Sequence, residues 1–305
     1  MAGSTTSSKG PGSRPTKSER REAAREKARA FREERERRAR RKRLLIQLSV
    51  ILVAVLVVVG VFVVIQQVNR SKGPGAVPAN MASDGLVVTK GLEPVRTDAR
   101  AAGSDPEPYE SVDGRLVVTV YADFMCPACG SFEQTYGQYL STQAQAGNID
   151  LEIHPVGLLD RYSSGSKYST RAAAAAASVA NYAPDHFMDF FTTLFQDGVQ
   201  PSENTTGLTD DQLVEYARQA VGDDQPEVQD QVEKSIRNGE FQKWVAQATQ
   251  AANLSATPTV KLDGEEWDMS GDLTEAIDER LRASGIDPDA AADAETSGES
   301  DTTQQ

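Results

Sequence analysis

Only two cysteines occur in the 305 residues, and they sit together as Cys126-Pro127-Ala128-Cys129. No third or fourth cysteine is available for another disulfide or for a four-thiolate metal site. A C-x-x-C pair between a short apolar strand and a helix suits dithiol–disulfide exchange. A thiol reacts as its thiolate, and the unpaired N–H groups and dipole of a helix N-terminus favour negative charge. Cys126, at the helix mouth, is therefore the expected nucleophile. Cys129 lies one turn on and is the expected resolving thiol, the more buried of the two. Pro127 fits the first helical turn, where its missing N–H costs nothing. The direction of exchange follows reduction potential, and stabilising the Cys126 thiolate stabilises the reduced form and makes the pair a stronger oxidant.

Two other uses of the pair fit less well. The two histidines, His154 and His186, make a Cys2His2 metal site arithmetically possible. Their wide separation does not match the usual spacing of such sites, in which roughly three to five residues lie between the histidines, so no metal is expected. A purely structural disulfide across four residues closes too small a loop to add much stability. His154, before Pro155, reads either as a proton relay or as a packed or surface histidine. No residue pattern asks for a cofactor.

The elements that must position the thiols follow from periodicity. Leu116-Val117-Val118-Thr119-Val120-Tyr121 is a strand rich in β-branched residues, suited to burial on both faces. Residues 131–146 read as a helix stopped by Gly147-Asn148. The alternating Ile149-Asp150-Leu151-Glu152-Ile153-His154 reads as the next strand. This βαβ unit places the first helix's N-terminus at the C-terminal edge of the sheet. Leu86-Val87-Val88-Thr89 is a further short strand. Helices are expected over 171–182, along the stripe Phe187, Phe190, Phe191, Leu194 and Phe195, over 210–221 after a Thr209 cap, and around Phe241, Trp244, Val245 and Ala248. The aromatic stripes read as helix–helix core rather than a ligand site. A hairpin of residues 259–262 and 265–268, turning at Asp263-Gly264, and a last helix over 272–282 complete the pattern.

This order is βαβ, helical insert, ββα, with Cys-Pro-Ala-Cys at the first strand–helix junction. It resembles the DsbA-like branch of the thioredoxin superfamily. The matching residues are Tyr121-Ala122-Asp123-Phe124-Met125 with the cysteine motif, and Ala256-Thr257-Pro258-Thr259 before a later strand. A third stretch, His154-Pro155-Val156-Gly157-Leu158-Leu159-Asp160 with Tyr168-Ser169-Thr170-Arg171-Ala172-Ala173, is similar to membrane-anchored actinobacterial members. The resemblance implies an α/β thioredoxin-like fold with a helical insertion at 158–252, and a thiol–disulfide oxidoreductase using Cys126 and Cys129. It implies that Thr257-Pro258 is a cis-proline turn opposite the cysteines; without it, Pro258 would read as an ordinary turn. The Thr257 backbone would then pair with an extended substrate, and Phe124, Pro127 and Ala128 would line the same groove. The best-known DsbA pattern has His as the second residue between the cysteines. Ala128 removes that imidazole, leaving other groups to hold the thiolate. Family membership also implies re-oxidation by a membrane quinone-linked partner of the DsbB or VKOR-like type.

The compartment is read from the other end of the chain. Residues 44–65 are Leu, Ile, Val and Phe diluted only by Gln47, Ser49, Ala54 and Gly60, and no charge appears before Arg70. A helix of about 20 such residues spans the hydrocarbon of a bilayer. Residues 1–43 carry sixteen Lys/Arg against six Asp/Glu, a net of +10, and residues 70–305 carry sixteen against thirty-nine, a net of −23. The basic side stays in the cytoplasm by the positive-inside rule. A cleaved signal peptide has a shorter apolar core and a small-residue cleavage site, and a buried core helix is the third reading. A retained anchor is the expectation, with residues 1–43 a basic cytoplasmic segment, 44–68 the transmembrane helix, 69–85 a linker, 86–285 the folded domain and 286–305 an acidic disordered tail. Outside the cytoplasm disulfides persist, so exported cysteine-containing proteins are the expected clients. The acidic C-terminal part argues against nucleic acid. Two rival functions remain: a reductase or isomerase of the same fold, and a membrane-tethered chaperone or binding module.

Overall fold

The β-branched run 116–122 and the alternating run 149–155 give two adjacent strands whose odd and even positions face different layers. The structure, a computed structural model, describes residues 75–289. Its single sheet contains β1 (Leu86–Thr89), β2 (Glu93–Pro94), β3 (Leu116–Ala122), β4 (Ile149–Pro155), β5 (Thr259–Leu262) and β6 (Glu265–Glu266). The strand order is β2-β1-β4-β3-β5-β6. Only β3 and β4 run parallel; the other neighbours are antiparallel. The parallel pair requires a crossover, supplied by α1 (Pro127–Ala146). Gly147, at φ 80°, closes α1 by donating to the Ala144 and Gln143 carbonyls. Phe132, Gly137 and Leu140 of α1 meet Val120, Leu151 and Ile153 on one face of the sheet. The other face carries Thr119, Tyr121, Glu152, His154 and Lys261, which line an open cavity of about 410 Å³.

Between β4 and β5 lie five α-helices. They are α2 (Tyr168–Tyr182), α3 (Phe187–Leu194), α4 (Asp210–Val221), α5 (Pro226–Asn238) and α6 (Gln242–Ala251). The six consecutive alanines of α2, Ala172 to Ala177, are all buried, and their small side chains let α3, α4, α5 and α6 all pack on this one helix. Phe187, Phe190, Phe191, Leu194 and Phe195 are fully buried, so the aromatic stripe is core. Helix α4 starts at Thr209, whose hydroxyl accepts from the Gln212 N–H while the Gln212 side chain accepts from the Thr209 N–H. The last helix, α7 (Leu273–Ala283), buries Leu273, Ile277 and Leu281.

Four expectations are corrected. Helix α5 was not anticipated: its apolar stripe is only Val228, Val232 and Ile236 in a polar surround. Strand β6 ends at Glu266 rather than 268, because the Asp268 carboxylate accepts from the Ser270 N–H and turns the chain away. Part of the expected 69–85 linker belongs to the fold. Val77 bridges to Arg100, Met81 is fully buried, and the Gly75 N–H donates to Gln247. The tail begins later than 286, since Pro288 is buried and its carbonyl accepts from Gln143. The expected segments 1–43 and 44–68 lie outside the described residues. Among the described residues no helix is long and apolar enough to cross a membrane.

Candidate active site

The sheet ends its central strand at Ala122, and the next four residues, 123–126, carry the chain into α1. Asp123 organises this turn. Its carboxylate accepts from the Met125 N–H at 2.8 Å and from the Leu159 N–H at 2.8 Å, tying the loop after β3 to the loop after β4. Burial pushes the Asp123 carboxyl up to about 6 against the pull of those two N–H donors. Cys126 then occupies the N-cap of α1 with extended backbone, and Pro127 takes the first helical position.

Both cysteines are free thiols, and both are buried, Cys126 at 7% exposure and Cys129 at 1%. Pro127 and Ala128 between them are exposed and form the lip of the site. The Cys126 thiol donates to the Thr257 carbonyl at 3.2 Å, so the two halves of the domain meet at this sulfur. The Thr257-Pro258 bond is cis, and both residues are buried against the cysteines' end of the sheet, where β5 begins at Thr259.

The two sulfurs differ sharply in acidity. The Cys129 thiol donates to Cys126 and, with the Thr257 side chain and the backbone N–H groups of Cys129 and Ala128, outweighs the effect of burial; the Cys126 thiol falls from an ordinary 9.0 to about 6. Burial pushes the Cys129 thiol up, and the neighbouring Cys126 anion pushes it further. The Asp123 N–H donates to the Cys129 sulfur at 3.5 Å, too weak a contact to reverse this. Such an arrangement supplies one thiolate near neutral pH and holds its partner protonated.

The expected site residues fall into two groups. Cys126, Cys129, Thr257 and Pro258 converge, with Pro127 and Ala128 beside them. Phe124 does not line the groove: it is fully buried, stacked on Phe195 at 5.0 Å and edge-on to Phe191 at 5.6 Å. The reason is the pleat and turn after β3, which direct residue 124 into the aromatic core of the insert. His154 is packed, 3.2 Å from Glu152 and 4.3 Å from the Tyr121 ring, and His186 contacts Gln225 at 3.0 Å.

Three residues near the thiols were not anticipated. Asp123 carried a signal, as an acid in a strand-to-helix turn, but its partner Leu159 is remote in sequence. Gln200 donates to the Cys126 carbonyl at 2.9 Å from the insert, and nothing in its local sequence marks it. Glu133, one turn past Cys129, lines the apolar pocket beneath α1, and burial pushes its carboxyl up to about 7.

Comparison with known proteins agrees with this geometry. A crystal structure of oxidised Mtb DsbA is 30% identical, covering 69% of this chain and 98% of its own, at a TM-score of 0.54. A reduced disulfide bond oxidoreductase, DsbG, from Mycobacterium tuberculosis is 33% identical, covering 58% and 83% of the two chains, at a TM-score of 0.52. The serine/threonine-protein kinase PknE of the same organism is 31% identical over 106 residues, and the chain covers only 19% of that kinase's length. The family model described as Thioredoxin matches residues 112–279, more than half of the sequence. With a βαβ–insert–ββα order and a DsbA-like fold, this chain belongs to the thioredoxin family.

Proposed function

We propose that the protein is an extracytoplasmic thiol–disulfide oxidoreductase that oxidises cysteine pairs of exported proteins. The observation that carries this reading is the pairing of a low-pKa Cys126 with a buried, high-pKa Cys129 at the mouth of α1, facing the Thr257-Pro258 turn. In the oxidised protein a client thiolate attacks the Cys126 sulfur. The Cys126–Cys129 bond breaks, a mixed disulfide forms at Cys126, and Cys129 leaves and takes up a proton. A second client thiolate then attacks the client sulfur of the mixed disulfide. The client disulfide forms and Cys126 departs as a thiolate, a good leaving group because its pKa is low. Two electrons have passed from client to protein. Thr257 and Pro258, with the exposed Pro127 and Ala128, supply the groove for an extended client segment.

The apolar run at 44–68 and the charge step across it support a membrane anchor with the redox domain outside, where client disulfides persist. Turnover then requires an oxidant, and a membrane partner of the DsbB or VKOR-like type is the proposed source. Reduction or isomerisation by the same site is the second reading, favoured by one observation. Near neutrality, a thiol pKa of about 6 instead of 9.0 stabilises the reduced form only about tenfold, or about 30 mV.

The test is oxidation of a reduced, unfolded protein holding one cysteine pair. The oxidised protein should form that disulfide stoichiometrically, and reduced Cys129→Ser given the client in its disulfide form should accumulate a mixed disulfide, as the Cys126 thiolate attacks the client disulfide and one client sulfur leaves as a thiolate. A Cys126→Ser variant that oxidises the client as well as the parent would overturn the proposal.

A further inference from the structure

The helical insert touches the cysteine loop through a short stretch after α3. Phe195 stacks on Phe124, and Asp197 accepts from Gln134 on α1 at 3.0 Å. Gln200 completes the contact. Its side-chain amide donates to the Cys126 carbonyl at 2.9 Å and lies 3.4 Å from the Phe124 carbonyl. The Cys126 carbonyl also accepts from the Cys129 and Gly130 N–H groups. Three donors thus converge on the backbone oxygen of the residue that bears the nucleophile.

Gly130 explains how Gln200 fits. It sits inside α1 without a positive φ, so no unusual backbone torsion requires glycine there. Glycine within a helix costs stability relative to alanine. A Cβ at this position would lie 2.1 Å from the Gln200 Oε1, closer than any real contact. The missing side chain is the space that the Gln200 amide occupies.

We infer that Gln200 is a positioning residue for the dithiol, and that residues 195–200 clasp the helical insert to the Cys126 loop. The inference rests on Cys126 being the nucleophile. The amide donor fixes the Cys126 peptide so that its sulfur stays between the N-terminal N–H groups of α1 and the Thr257 carbonyl. It also draws charge from the Phe124 carbonyl and adds a third donor to the Cys126 carbonyl, both close to the thiolate. Losing it frees the peptide and makes the thiolate harder to form.

The experiment measures thiolate formation by ultraviolet absorbance, and alkylation rate at fixed pH, in the full-length reduced protein. Gln200→Met keeps the bulk and removes the donor; Gln200→Ala removes both. Each should raise the Cys126 pKa and slow alkylation by about two- to tenfold, the equivalent of one hydrogen bond. Gln200→Glu, which sets a carboxylate against the carbonyl, should do more. Gly130→Ala should slow alkylation in the parent and have little effect when combined with Gln200→Ala, because the clash is then gone. The titrating neighbours Asp123 and Cys129 are the same throughout the series, so the shifts report on residue 200. The inference falls if the Met and Ala variants titrate and react like the parent, or if Gly130→Ala is as harmful without Gln200 as with it. Disulfide formation between Cys126 and Cys129 in every variant separates that outcome from failure of the functional proposal, in which the parent pair itself does not exchange.

Discussion

Burial alone would make both thiols weak acids, since a low-dielectric surrounding disfavours the anion. Cys126 escapes because the Cys129 thiol, the Thr257 side chain and the N–H groups of Cys129 and Ala128 surround its sulfur. Alkylation of the reduced protein should therefore rise with pH around a midpoint of about 6 and modify Cys126 alone, as mass spectrometry would show; a rate climbing only toward 9 would contradict this. The same shift has a signed effect on stability. A thiol whose pKa is depressed on folding stabilises the folded state above its unfolded value and loses that contribution as pH falls through the folded one. The reduced parent should thus gain on its Cys126→Ser variant between about 6 and 9.0, and the gain should vanish below that window. Asp123 has the structural part. Asp123→Ala leaves the buried Met125 and Leu159 N–H groups without their acceptor and should cost about 2–4 kcal/mol in denaturant unfolding. The cysteines could be read from the sequence because their chemistry is local: two thiols one helical turn apart. The part played by Asp123 could not, because one of its two partners lies 36 positions along the chain.

Helices with a strong stripe or a strong cap announce themselves, and those with neither do not. Thr209 and Gln212 form a reciprocal pair at the start of α4, and Thr209→Ala should destabilise the domain by about 1 kcal/mol. The α3 stripe is more consequential. Phe191 lies between Phe124, Phe187 and Phe195, so Phe191→Ala should cost about 3–5 kcal/mol and loosen the support of the cysteine loop. A stability loss without any change in Cys126 reactivity would show that the aromatic core does not brace the site. Both elements were legible because five aromatic or aliphatic residues, or a Thr-x-x-Gln, fall at helical spacing. Helix α5 was not, although Pro226 and Gly239 mark its two ends: its three apolar residues are diluted by buried Gln229 and Ser235, which pay for burial through hydrogen bonds to residues of α4 and α2. The Asp263-Gly264 turn was legible because both residues take positive φ, as a tight hairpin requires. The length of β6 depended instead on one Asx turn.

At the scale of the molecule, the sheet brings residue 257 to residue 126 by placing β5 directly beside β3, and the site exists because two sequence-distant halves share one strand pair. That adjacency was expected only through the family resemblance; periodicity alone orders the elements without saying which strands are neighbours. The N-terminal boundary was misread for a related reason. Glycine, proline and serine around residue 75 look like a linker, yet Met81 inserts into the core and Gly75 meets the Trp244 backbone so closely that a Cβ would clash. Met81→Ala should cost about 2–5 kcal/mol, where a linker residue would cost nothing. The two thiols act as one redox pair, and its direct measurement is equilibration of the full-length protein with glutathione buffers, quantifying the Cys126–Cys129 disulfide. The thiolate shift predicts a potential above thioredoxin's value of about −270 mV, and the lack of a histidine at Ala128 predicts one short of DsbA's value of about −120 mV. A potential at or below about −270 mV, or a pair that forms no disulfide at all, would contradict the account.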